Sequence, residues 1–318
     1  MINLNIYFAG EMMSFIEMNE ITQKDYEKFF KKHREVNIGN TKVKLQEEWD
    51  ISEYGPTKDY KNEQETVWSF PDRGNWATHK GNYRGNWSPY VPRNLILKYS
   101  KKGDIVLDQM VGSGTTLIEC KLLNRNAIGV DVNHDAIMVC CDRLNFNYSP
   151  NGGNKLEIKT YVGDARKLDK IESESIDLIA THPPYARIIA YTKQRTEGDL
   201  SNLSIRKYVE EMQKVADESI RVLKPNRYCA ILVGDTRRSR HYVPIAYRIM
   251  QKFLDAGFIL KEDIIKRQWK MKGTREKWRS KENDFFLIAH EHLFVFRKPD
   301  HTEELLKYKN SIATSLLK

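Results

Sequence analysis

The chain has 318 residues, 30% charged and 40% hydrophobic, which suits one large α/β domain and argues against wholesale disorder. Its formal net charge of +9 favours a polyanionic partner such as DNA or RNA, although solubility alone would also explain it. No stretch approaches the roughly 18–20 consecutive apolar residues of a membrane span, and Cys120, Cys140, Cys141 and Cys229 lack the spacing of a zinc site or disulfide framework.

Residues 1–13 read MINLNIYFAGEMM, without a basic start, so no signal peptide is expected. Met12 or Met13 can serve as the start. The compartment reads as the reducing cytoplasm. Residues 1–66 are polar and charge-mixed, an N-terminal extension read as a DNA-contacting or dimerisation segment. Within it, Tyr26, Phe29 and Phe30 in ITQKDYEKFFKKHREV sit at helical spacing and predict one amphipathic helix. Residues 67–94 are rich in Gly, Pro, Asn and aromatics and predict a long loop, whose aromatics argue against disorder.

From about residue 95 the pattern becomes regular. DIVLDQM predicts a strand, TTLIECKLLN a helix, AIGVDVN a strand and HDAIMVCCDRLNF a helix. LEIKTYVGDA and IDLIATHPPY predict two more strands. The amphipathic spacing of IRKYVEEMQKVADESIRVL predicts a helix, YCAILVGD a strand and PIAYRIMQKFLDAG a helix closed by Gly257. FILKEDIIK and FFLIAHEHLFVFRK are the final strands, joined without a helix and so expected to be antiparallel. Alternating strands and helices predict a mostly parallel sheet covered on both faces. The expected domain spans 67–299, with a tail at 300–318.

In such sheets ligands bind beyond the carboxyl ends of the strands, near the reversal of strand order. The first predicted strand ends at Asp108, followed by the turn Val111-Gly112-Ser113-Gly114-Thr115-Thr116. Glycines let backbone approach a ligand closely, and the next helix offers free amides. Asp131 ends the second strand, where a carboxylate grips ribose hydroxyls. Asp164 ends the third, in reach of an adenine edge. The third glycine of a dinucleotide fingerprint is missing and no Gly-Lys-Ser/Thr follows, which disfavours NAD and a P-loop. Without a ligand, the same residues make a tight turn and two capping acids.

The fourth strand ends in Thr181-His182-Pro183-Pro184-Tyr185. Paired prolines remove two donors and leave carbonyls able to accept from an amino group. Tyr185 can stack on a flipped base, and a rigid loop with a surface tyrosine is the plainer reading.

The arrangement resembles the DNA amino-methyltransferases, the N6-adenine and N4-cytosine group, whose signature is [Asp/Asn/Ser]-Pro-Pro-[Tyr/Phe] with a Phe-x-Gly-x-Gly motif. Here Met110-Val111-Gly112-Ser113-Gly114 stands for the latter. The likeness continues through GNWSPYVPRNLI, IGVDVN, VGDA, RVLKPNRYCAILVGD and HEHLFVFRK, over about residues 86–298.

The resemblance implies a Rossmann-like class I methyltransferase fold, a mostly parallel seven-stranded sheet with an antiparallel last strand. It implies S-adenosylmethionine as donor, with Asp131 on the ribose, Asp164 at the adenine and Asp108, Gly112, Ser113, Gly114 and Thr115 around the methionine end. His182, Pro183, Pro184 and Tyr185 become the catalytic set. The sequence departs from the family at His182, which stands where Asp, Asn or Ser is usual. A neutral histidine can still accept through one ring nitrogen. Thr181 is akin to the Thr-Ser-Pro-Pro-Tyr form, which leans the target toward cytosine N4. Transfer is expected to be direct, without a cysteine nucleophile.

All six tryptophans lie outside the predicted central strands. Trp269 and Trp278 share a basic loop, KRQWKMKGTREKWRSKEND, whose Lys270, Lys272, Arg275, Lys277 and Arg279 suit phosphate contact, or else form a solvated basic surface. Only the tail follows the last strand, so sequence reading is expected from residues 1–94 or this loop. The expected partners are double-stranded DNA, a cognate restriction endonuclease and a second copy in a homodimer. An RNA base methyltransferase and an inactive nucleic-acid-binding scaffold are the alternatives. Tyr191, Arg195 and Asp235 are second-tier site residues.

Overall fold

The computed structural model describes residues 15–83, 85–148, 156–186, 198–270 and 284–317. Strand β1 (Asn19–Ile21) leads into α1 (Gln23–Lys32). Thr22 accepts from the Asp25 amide while Asp25 accepts from the Thr22 amide, a capping box that satisfies two end donors. Tyr26 and Phe30 are buried, as the helical spacing required. Unforeseen from the sequence is the hairpin of β2 (Glu35–Ile38) and β3 (Thr41–Lys44), with Val36, Ile38 and Val43 inward.

This extension is docked, not loose. The Tyr26 hydroxyl, Gln46 amide and Trp49 indole all reach the buried carboxylate of Asp142, at 2.8, 2.6 and 3.2 Å. An unpaired buried carboxylate would be costly, so each donor secures the contact.

The aromatic loop begins as β4 (Val67–Ser69) and ends where α2 (Tyr90–Tyr99) starts, so both ends of the expected 67–94 loop are regular structure. Its middle is pinned through Glu119. That carboxylate accepts from Trp76 at 2.7 Å, His79 at 2.8 Å and Arg93 at 2.8 Å, with no exposure to solvent.

The central unit follows in the expected order. It comprises β5 (Ile105–Asp108), α3 (Thr115–Leu122), β6 (Asn126–Asp131), α4 (His134–Leu144), β7 (Ile158–Val162) and β8 (Ile176–Thr181). After a short 3-10 turn come α5 (Ile205–Val222), β9 (Leu223–Val233), β10 (Thr236–Arg238), β11 (His241–Val243), α6 (Ile245–Asp255), β12 (Ile259–Arg267) and β13 (His290–Arg297). The sheet order is β1-β7-β6-β5-β8-β9-β13-β12-β4. Within it the expected seven strands run from β7 to β12, with β13 antiparallel to both neighbours.

Among the described residues the expected seven strands are present and two more extend the sheet to nine. The added edge strands, β1 and β4, are three residues each, too short to show an alternating pattern. Short edges of this kind also limit pairing with other chains. The core is split by the sheet. Side chains of α2, α3 and α4 fill one face, and those of α5 and α6 fill the other. Cys120 and Cys229 are buried as their apolar surroundings in the sequence suggested, and Cys140 and Cys141 are buried too. No helix among the described residues is long and apolar enough to cross a membrane.

Candidate active site

The parallel strands β7, β6, β5 and β8 end at one edge, and the strand order reverses between β5 and β8. That reversal is where crossover connections diverge and leave a crevice. A cleft of about 810 Å³ opens there. Its walls include Asp108, Gly112, Ser113, Thr115, Asp131 and Asp164 of the expected set. Gly114 is the exception. Its φ is +84°, and a Cβ there would stand 2.7 Å from the Cys140 sulfur, so it lets α3 start against α4 and lines nothing.

The reversal is tied across by Thr181, whose hydroxyl donates to Asp108 at 2.9 Å. Thr116 and the Met110 amide also donate to Asp108. Burial still pushes this carboxyl up to about 6, partly offset by those donors. Asp131 accepts from the Gly112 and Asn133 amides, both at 2.9 Å, which hold the turn against the end of β6. Burial raises it to about 6 as well. Asp164 is engaged more fully than the sequence suggested. Arg166 grips it with Nε at 3.0 Å and Nη2 at 2.6 Å, and passes Nη1 to Glu211 at 2.6 Å.

His182 and Pro184 line the cleft, while Pro183 is buried. The His182 ring lies parallel to Trp87, with centroids 5.8 Å apart and planes at 23°. Its Nε2 is 2.9 Å from the Tyr185 hydroxyl. That hydroxyl donates to Glu291, and Lys266 donates to the other Glu291 oxygen at 2.8 Å. Cross-strand pairing of Lys266 with Glu291 sets this up. Burial raises the Glu291 carboxyl, but Lys266, His182 and Tyr185 together hold it down at about 2. Burial pushes the His182 ring down to about 4, opposed by the charge of Glu291 and aided by that of Lys266.

These facts fix a tautomer. An ionised carboxylate only accepts, so the Tyr185 proton goes to Glu291. The proton between His182 and the phenol oxygen must then come from His182. The neutral ring carries its proton on Nε2 and keeps its lone pair on Nδ1. Tyr185 itself is half-buried, against the backbone of Gly234, where a Cβ would meet its ring and hydroxyl at 3.1 Å.

Sequence reading missed several contributors. Tyr83, Asn86 and Trp87 of the aromatic loop line the cleft, and Asn86 donates to Ser113 at 3.3 Å. Trp87 sits in the GNWSPY motif, which did carry a signal. Gln109 is a wall residue of the cleft, and its side-chain oxygen accepts from Ser219 of α5 at 3.0 Å. Glu291 was detectable as a carboxylate inside the apolar run HEHLFVFR.

Of the expected phosphate contacts, Lys270 is exposed and 3.2 Å from Asp72. Lys272, Arg275, Lys277 and Arg279 lie outside the described residues, as do Tyr191 and Arg195. Asp235 accepts from the Ala246 amide at 2.8 Å and from Tyr242, which makes it a cap for the start of α6.

The family described as DNA methylase matches residues 9–140 and 176–315. A second, described as an RMKL-like methyltransferase domain, matches 95–225. The chain is similar to the type II methyltransferase M.HpaI of Haemophilus parainfluenzae, 47% identical over 55 residues, 17% of this chain and 18% of that one. It is also similar to the type II methyltransferase M.MjaI of Methanocaldococcus jannaschii, 27% identical over 173 residues, 44% and 55% of the two chains. A third relative is the tRNA (guanine(10)-N2)-dimethyltransferase of Pyrococcus abyssi, 27% identical over 135 residues, 41% and 36% of the two chains. Among the first of these curated relatives the match spans between 18% and 55% of their length.

Proposed function

The chain belongs to the DNA methylase family, and on that premise we propose that it moves a methyl group from S-adenosylmethionine to an exocyclic amino nitrogen of a base in DNA. N4 of cytosine is the favoured target and N6 of adenine the next. One observation carries the reading. The Thr181–Asp108 bond sets His182-Pro183-Pro184-Tyr185 against a cleft whose facing walls are the glycine turn and Asp131.

The residues fit the cofactor. Asp131 offers a carboxylate to ribose hydroxyls, and Asp164 stands at the adenine end. The turn from Asp108 to Thr115 lines the methionine end. The bound cofactor supplies an electrophilic methyl group on a sulfonium.

The chain supplies position. A target base leaves the duplex, which costs a few kcal/mol. Its ring stacks on Tyr185, worth roughly 1–3 kcal/mol. The lone pair on His182 Nδ1 accepts one amino hydrogen and the Pro183 carbonyl the other. These acceptors turn the nitrogen lone pair toward the methyl group, and orientation supplies much of the acceleration. Burial raises the Cys120, Cys140, Cys141 and Cys229 thiols, so none is a ready nucleophile, and direct transfer needs none.

Double-stranded DNA is the proposed partner, with Lys270, Lys272, Arg275, Lys277 and Arg279 toward its phosphates. A cognate restriction endonuclease and a homodimer belong to the same proposal. The tRNA relative favours a second reading, a base amino group in RNA. Transfer of labelled methyl to mixed-sequence duplex DNA and, in parallel, to total RNA tests both, with digestion to nucleosides and mass spectrometry. N4-methylcytosine or N6-methyladenine in DNA is the expected product. Label confined to RNA moves the assignment to the second reading.

A further inference from the structure

We propose that the β10–β11 hairpin is a phosphate-gripping finger that holds duplex DNA beside Tyr185, an inference that rests on the methyltransferase reading. The hairpin follows β9 directly. A Cβ on Gly234 would stand 3.1 Å from the Tyr185 ring, and β10 starts two residues later. At about 3.4 Å per residue, Arg238 lies within roughly 14 Å of that contact. Phosphates flanking a flipped nucleotide fall in that range, since duplex DNA carries one charge per ~1.7 Å of its axis.

Chemistry and shape agree with this placement. The hairpin reads Thr236-Arg237-Arg238-Ser239-Arg240-His241-Tyr242-Val243, with three arginines and no carboxylate. Arg238 pairs with His241, so the loop is the two residues Ser239 and Arg240, at φ +47° and +67°. Two left-handed central residues fit a type I′ turn, which favours Asn-Gly. Ser and Arg there store on the order of 1 kcal/mol or more each, strain of the kind found at functional sites. The turn pushes Arg240 to an exposed tip beside exposed Arg238 and His241.

Arg237 braces the finger. It donates to the Phe286 carbonyl at 2.7 Å and lies 4.5 Å over the Phe285 ring. Arg240 meets Asp284 at 2.7 Å, an exposed pair worth ~0–1 kcal/mol that a phosphate can displace. Arg238 has no carboxylate in ion-pair reach among the described residues. Asp284, Phe285 and Phe286 directly follow the basic loop that leaves β12 through Arg267, Trp269 and Lys270. Arg237, Arg238 and Arg240 therefore gather positive charge on the hairpin that leaves the carboxyl end of β9, beside Tyr185.

The test is salt-dependent binding of a mixed-sequence duplex by the full chain and by the Arg238→Ala, Arg240→Ala double variant. Each lost phosphate contact removes ~0.9 from the slope of log K against log salt, so the slope should flatten by about 1–2. The Arg238→Lys, Arg240→Lys variant should restore it, because the charge is kept. Matching thermal unfolding shows that the exposed changes leave the fold intact. Parallel slopes for the full chain and the Ala variant, with both binding duplex, overturn the finger and leave the methyltransferase reading standing. A full chain that ignores duplex, or captures single-stranded RNA of equal length more tightly, overturns both.

Discussion

The Tyr185 hydroxyl donates a hydrogen bond to Glu291, and Lys266 keeps that carboxylate charged from the other side. The consequence falls on a third residue. His182 must donate through Nε2, so its Nδ1 is the acceptor left for substrate. In this family a carboxylate, amide or hydroxyl usually stands at that position, and none of those has a tautomer to choose. Here the choice is made two strands away. Glu291→Gln should leave a mixture of ring tautomers, visible in the nitrogen chemical shifts of labelled His182. One weakened hydrogen bond is worth ~1 kcal/mol, so kcat should fall about fivefold to tenfold with cofactor affinity unchanged. A single unchanged tautomer in the variant would remove Glu291 from this role.

Activity should separate into two pH limits. An ordinary histidine would protonate near 6.5 and lose its acceptor, whereas His182 sits at about 4. At saturating cofactor, kcat should stay flat from pH 8 to about 5 and fall below that. Asp131 lies at about 6 in the ligand-free protein. Its charged form is the better acceptor for ribose hydroxyls, so cofactor affinity should weaken as pH drops through 6. Calorimetry across this range should show Kd rising toward low pH, and Asp131→Asn should bind weakly at every pH without the trend.

The same shifts bear on stability. Asp108 and Asp131 are raised above the ordinary carboxylate value, so the folded protein holds more protons than the unfolded chain between about 4 and 6. Their contribution is present below about 4 and lost as pH rises through 6. His182 is depressed, so its contribution is present above 6.5 and lost as pH falls through 4. Over pH 4–6 the two carboxylates oppose the one histidine. Asp131→Asn should therefore flatten the decline in Tm across that window, and a decline unchanged from the parent would assign it to other groups.

Much of this arrangement could be read from the chain, and the reasons are physical. The strand ends at Asp108, Asp131 and Thr181 follow from apolar runs closed by polar or glycine turns, a local signal. The helix over Tyr26 and Phe30 was equally local. What escaped depends on pairings distant in sequence. Glu291 meets Tyr185 across 106 residues, and Trp49 meets Asp142 across 93. No periodicity encodes such contacts. Edge strands β1 and β4 escaped because three residues carry no alternation. Asp164 lines the cleft two residues beyond the end of β7, and its clamp by Arg166, which the sequence did not show, makes it a structural member of that wall.

Gly234 offers a sharper test of Tyr185 than removing the ring. A Cβ at this position would stand 3.1 Å from the ring and hydroxyl, closer than ordinary contact. Gly234→Ala should push the ring off its place and lengthen its bond to Glu291. Base stacking and the His182 tautomer would suffer together, so kcat should fall by about tenfold or more, the effect of ~1.4 kcal/mol.

Glu119 holds the wall of the cleft that the sequence described least. It takes hydrogen bonds from Trp76, His79 and Arg93, and so anchors the loop that carries Tyr83 and Trp87. His79 is neutral, since burial lowers its pKa despite the pull of Glu119. The carboxylate therefore balances Arg93 alone. Glu119→Ala would leave a partly buried cation and two buried donors unpaired, at a cost of roughly 2–4 kcal/mol. Glu119→Gln keeps the shape but removes the charge, and should cost less. If the loop shapes the cleft, both variants should lose cofactor affinity in the order of their stability loss. Intact affinity in a destabilised Glu119→Ala protein would show that Tyr83 and Trp87 hold their places without the anchor.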